Sequence, residues 1–103
     1  MAAITVKIDF NGPGNYSLAA AAAGVTNSLL MVSVTNLGGI TFDFADSDNT
    51  QLTGPLIFCD LGQYVTAFGT PAVPLVAADT GKGLNLRIRD GGRLSGFCVI
   101  DVA

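Results

Sequence analysis

The chain contains no histidine, no glutamate and no tryptophan. Without histidine it lacks the commonest general base and the commonest metal ligand. Charge is scarce as well: 13% of residues are charged, against about a quarter in an ordinary soluble domain. An amphipathic helical bundle draws on Glu and Lys for its polar face, and this sequence has no Glu and two Lys. Basic excess is absent too, since the formal net charge is −3, which excludes a typical nucleic-acid binder. No uninterrupted apolar run is long enough for a membrane span, because residues 18–40 are broken by Gly24, Asn27, Asn36, Gly38 and Gly39. The first residues show no basic start followed by an apolar stretch, so no export signal is expected.

What the chain does have is apolar content of 50%, with 13 Gly and many Ala. That excludes a disordered chain. Its 103 residues fit one domain spanning 1–103. A surface so poor in charge must expose Thr, Ser, Asn, Gly and Ala, and is suited to being covered by a partner.

The polarity alternates with a period of two. Ile4, Val6, Ile8 and Phe10 alternate with Thr5, Lys7 and Asp9, predicting a half-buried strand. Residues 11–15 are dense in turn formers. Residues 16–21 are expected to be extended rather than helical, despite the Ala run that follows. Leu30, Val32 and Val34 predict a central strand, residues 36–39 a hairpin turn, and Ile40, Phe42 and Phe44 the returning strand. Residues 46–49 form a second polar turn. The run 56–61, continued over 64–68, reads as strand, and 69–83 as a long Pro-bearing loop with an edge segment at 73–76. Leu84, Leu86 and Ile88 predict a strand, residues 90–92 a tight hairpin, and 94–102 the last strand. Seven or eight short strands separated by Gly, Asn and Asp turns predict an all-β fold. It is a single antiparallel β-sandwich, jelly-roll-like or immunoglobulin-like.

Tests for chemistry leave little. Asp43, Asp46, Asp48 and Asn49 are the one acidic cluster, but Gln51 and Ile57 stand where a calcium loop needs Gly and Glu, so a solvated turn is expected and no metal. Gly81-Lys82-Gly83 lacks the earlier Gly of a phosphate loop. No pair of carboxyls is singled out for glycosidase work, and no base activates a Ser, Thr or Cys. No catalytic residue and no cofactor is expected. Cys59 and Cys98 lie in apolar runs and read as buried thiols, with a single bridge as the alternative. Tyr16, Tyr64 and Phe68 are the aromatics that could form a sugar platform, with packing the simpler reading.

Arg87, Arg89 and Arg93 gather around the turn at 90–92. They are candidates for anchoring carboxylates of a neighbouring subunit, or for a charged edge that discourages strand addition. Pro71 and Pro74 mark a second candidate contact, the loop 69–74, and the first strand's edge a third.

Three stretches carry a resemblance: Ile40-Thr41-Phe42 with Leu52-Thr53-Gly54-Pro55-Leu56, then Gly81-Lys82-Gly83-Leu84-Asn85-Leu86, then Leu94-Ser95-Gly96-Phe97-Cys98-Val99. Their order resembles small Gly/Ala-rich β-sandwich structural proteins of tailed bacteriophage virions. The resemblance implies a non-enzymatic capsid decoration or cement protein on the outside of the particle. Its partners would be the major capsid protein, copies of itself, or both, as a homo-oligomer without nucleic acid or membrane. A glycan- or receptor-binding head-fibre or tail module, or an adhesin-like cell-surface subunit, is the alternative.

Overall fold

A computed structural model describes residues 2–59, 62–66 and 68–103. Seven strands occur among them: β1 (Ala2–Asn11), β2 (Gly14–Ala19), β3 (Asn27–Asp46), β4 (Leu56–Phe58), β5 (Gly62–Val65), β6 (Val76–Ala77) and β7 (Leu84–Val102). All pairings are antiparallel. The expected all-β architecture is present, with β2 covering most of the segment read as extended. The edge segment expected at 73–76 is shifted to β6. Residues 60, 61 and 67 of the expected strand runs lie outside the described residues.

The spine is a two-stranded ribbon of β3 and β7, paired from Asn27 opposite Val102 to Asp46 opposite Leu84. A strand of twenty residues would run about 65 Å if straight, yet the longest extent of the molecule is 39 Å. The ribbon therefore bends, and the register shows where. A shift falls between Leu37 and Ile40, and Ile40 then faces Gly91.

Both expected hairpins, at 36–39 and 90–92, are at this bend, and neither is a hairpin. The glycines serve close approach of two backbones instead. Gly91 has φ +96°, and a Cβ there would overlap the Gly39 carbonyl oxygen and lie 2.8 Å from Ile40 Cα. Any other residue would push the strands apart.

The flanking strands break at the same level. β1 pairs with the C-terminal half of β7 and β2 with its N-terminal half, so the turn at 12–13 is a step along one edge. The Gly12 amide donates to the Gly92 carbonyl across that step, at 3.0 Å. On the other edge, β4 pairs with residues 40–42 of β3 and β5 with residues 33–36. One half-sheet thus runs β1–β7–β3–β5, with β6 beyond β5 on β3, and the other runs β2–β7–β3–β4. The chain passes from one half to the other at each bend. This is the double-wound order of a jelly roll, not the immunoglobulin arrangement.

The two halves share one core. Ile8, Val32, Val34, Leu94, Cys98 and Ile100 come from the first half, and Ile40, Phe42, Phe44, Leu84, Leu86 and Ile88 from the second. Phe42 packs among Phe44, Phe58 and Tyr64 at centroid distances of 6.0–6.2 Å. Buried Asn27 pins the β2–β3 connection, its Nδ2 donating to the Ala20 and Lys82 carbonyls.

Candidate functional site

Two surface features are built by this fold: an arginine clamp on one half-sheet and an apolar edge on the other. The clamp follows from cross-strand register. Asp43 alternates with the core residues Phe42 and Phe44, so it points away from the core, and Arg87 stands directly opposite it on β7. Arg87 donates from Nε to Asp43 Oδ1 at 2.9 Å and from Nη2 to Oδ2 at 3.1 Å, a bidentate pair. Arg89 falls at a further register shift, where Thr41 faces Asp90 and Phe42 faces Ile88. The shift leaves Arg89 unopposed, and its Nε donates to Asp43 Oδ2 at 2.8 Å. Asp43 is fully buried beneath the two guanidinium groups, with Arg87 14% and Arg89 47% exposed at the side chain. The hydrogen bonds to Asp43 raise the pKa of Arg87 further, against the opposing effect of burial.

Loop 47–55 closes over the clamp. The Asn49 carbonyl accepts from Arg87 Nη1, and Gln51 Oε1 from Arg89 Nη2, at 3.3 and 3.4 Å. The loop is folded by Asp46, whose Oδ1 accepts the amides of Asp48 (2.8 Å) and Thr50 (2.9 Å). The Thr50 hydrogen bond, with those from Asp48 and the charge of Lys82, holds the Asp46 carboxyl below its ordinary value, although desolvation works the other way. The acidic cluster is thus a set of local turn and ion-pair contacts. Asp48 is bound by Lys82, which raises the Lys82 pKa. No group of acids, Cys or His among the described residues is arranged to hold a metal.

Arg93 does not join the clamp. It sits beyond the bend, where its Nε and Nη2 both donate to Asp9 Oδ1 on β1, at 3.0 and 2.8 Å. All three arginines grouped by the sequence therefore hold carboxylates of their own chain. Asp43 is the member of the site that the sequence reading did not pair with them.

Pro71 and Pro74 lie elsewhere, on the edge of β3. The stretch after β5 meets that edge at three points, the Thr66, Gly69 and Leu75 amides donating to the Val32, Leu30 and Leu29 carbonyls, with a tight turn closed by Thr70 and Val73 between the last two. It carries Phe68 (63% exposed) and Val73 (73%), with Val65 at its start and Leu75 at its end. Residues 61–78 contain no charged side chain. Val65 also faces Ser33, which faces Phe97 on β7, so two exposed apolar side chains share one outward row with Ser33 between them. No family model, curated protein or solved structure matches the chain.

The other candidates resolve simply. Tyr16 stacks on Phe10 at 4.2 Å and donates its hydroxyl to the Asn11 and Gly12 carbonyls. Tyr64 packs against the core, and Phe68 remains exposed. Both cysteines are free, but only Cys98 is buried; Cys59 is exposed at the end of β4, where the strand leaves the core for the bend. Burial pushes the Cys98 thiol up to about 11.

Proposed function

We propose that this protein is a non-enzymatic structural subunit of a tailed-phage-like virion, a decoration or cement protein that binds the assembled shell from outside and stabilises it. The observation that carries this reading is the edge beside β3, where Val65, Phe68, Val73 and Leu75 are exposed and where the sequence from 61 to 78 carries no charge. Exposed apolar groups concentrated on one edge mark an interaction surface better than a pocket. Covering such a side chain contributes on the order of 1–2 kcal/mol, a weak gain per contact that becomes strong when symmetry repeats it over a shell. The jelly roll adds support by analogy only, being a fold used for capsid and lectin domains.

In this reading docking falls to the stretch from Val65 to Leu75, where Pro71 sits inside a tight turn closed by Thr70 and Val73, and where Pro71 and Pro74 withdraw amides that would invite strand addition. Arg87 and Arg89 serve by fixing loop 47–55 against the sheet. The partner is the major capsid protein. The test is co-sedimentation of purified protein with shells prepared without it. Phe68→Ser with Val73→Ser is expected to lower bound protein roughly tenfold while leaving the melting temperature near that of the parent. Undiminished binding by that variant would remove the reading.

A further inference from the structure

We propose that the protein pairs with a second copy of itself through β1, edge to edge, in one register centred on Ile8. The two edges of the sheet differ sharply. On the β3 side the edge is cut into pieces of three, four and two residues, with Pro55 just before the first and Pro71 and Pro74 between the last two. That is how sheets blunt an edge. On the other side β1 runs ten residues against β7 with no register shift and no proline, and it is the last strand of its half-sheet. Its outer backbone groups are those of a long, regular, uncovered strand.

The core is also unfinished there. Ile4 has the parity of the core face yet is 42% exposed, and Val6 and Phe10 are only partly buried. A strand laid beside β1 would cover their flanks.

Charge selects the occupant and the register. Lys82, Arg87, Arg89 and Arg93 each bind an aspartate of their own chain. Lys7, on the outward face of β1, is the remaining cation and has no ion pair among the described residues. Two residues on, Asp9 accepts Arg93 through Oδ1, and among the described residues no hydrogen bond engages its Oδ2. Two antiparallel copies related by a two-fold axis keep the same face outward, so only residues of like parity can oppose each other. Centring on Lys7 or Asp9 sets like charges together. Centring on Ile8 places Lys7 opposite the partner's Asp9, twice by symmetry. It also places Val6 opposite the partner's Phe10 on the core face. No other register pairs the two charges, so β1 is complementary to itself.

The test is sedimentation of the purified protein over a concentration series, without shells, so its outcome is independent of the cement reading. The parent is expected to dimerise. Lys7→Asp alone, and Asp9→Lys alone, each set two like-charge contacts and are expected to weaken dimerisation tenfold or more, on the order known for misplaced interface charges. An equimolar mixture of the two variants restores both opposite-charge contacts and is expected to dimerise as the parent does. Amide exchange gives a second readout that needs no variant: β1 amides should slow as concentration rises. A parent monomeric into the millimolar range, reversals without effect, or a mixture that stays monomeric would each overturn the proposal.

Discussion

Asp43 and Arg87 face each other across the β3–β7 ladder, and the fully buried carboxylate accepts from Nε and Nη2 of that guanidinium while Arg89 Nε donates to it as well. The arrangement joins strands 44 residues apart in sequence and fixes loop 47–55 over the sheet.

Removing Asp43 leaves a nearly buried guanidinium without its counter-charge. Asp43→Ala is expected to lower unfolding free energy by about 2–4 kcal/mol, somewhat below the usual cost of breaking a buried pair because Arg89 reaches water. Arg89→Ala, at the wetter end, is expected to cost under about 1 kcal/mol. Urea unfolding of the two variants checks the difference, and equal losses would mean the clamp is not asymmetric.

The bend makes a different demand. Gly91→Ala must accept both a positive φ and overlap with the facing Gly39 carbonyl, and is expected to cost about 3 kcal/mol or more. Gly81 has a similar φ of +91° but open space around it, so Gly81→Ala should cost only about 1–2 kcal/mol. Thermal melts of the pair separate close approach from simple backbone strain.

The pH dependence has a defined sign at Asp46. Its folded carboxyl titrates below the ordinary value of 3.8, so the stability it contributes is present above that value and is lost as pH falls through the lower, folded one. Asp46→Asn retains an acceptor for the Asp48 and Thr50 amides but no titrating group. Between pH 5 and the acid limit, about where carboxylates protonate, the melting temperature of the parent should fall more steeply than that of the variant.

The cysteines differ in reactivity. With its thiol pushed up to about 11 and no exposure, Cys98 should resist alkylation at mildly alkaline pH, while the exposed Cys59 reacts. Mass measurement after treatment should show one modified thiol in the native protein and two after denaturation. Two in the native state would mean that β7 opens locally.

Strand parity was readable in the sequence because a half-buried strand needs a period of two. Val6 and Ile8, Phe42 and Phe44, and Leu86 and Ile88 all face inward as that pattern requires. The glycine pairs were not readable in the same way. Gly38-Gly39 and Gly91-Gly92 offer the same local freedom to a hairpin and to a bend in a long ribbon. Only the facing backbone distinguishes the two. The clamp was half visible: Asp43 and Arg87 each carry outward parity, but pairing them needs a register between distant segments, and no local signal sets it. Pro71 and Pro74 mark an irregular loop within 69–83, whereas the exposure of Phe68 and Val73 depends on that stretch lying beside β3 rather than under it.

If the protein stabilises a shell as proposed, heat reads it out: virions prepared with and without this chain are heated and genome release is followed. Particles lacking it are expected to open at a lower temperature, with purified parent protein restoring the loss and the Phe68→Ser, Val73→Ser variant failing to do so. Identical opening temperatures with and without the protein would contradict the account.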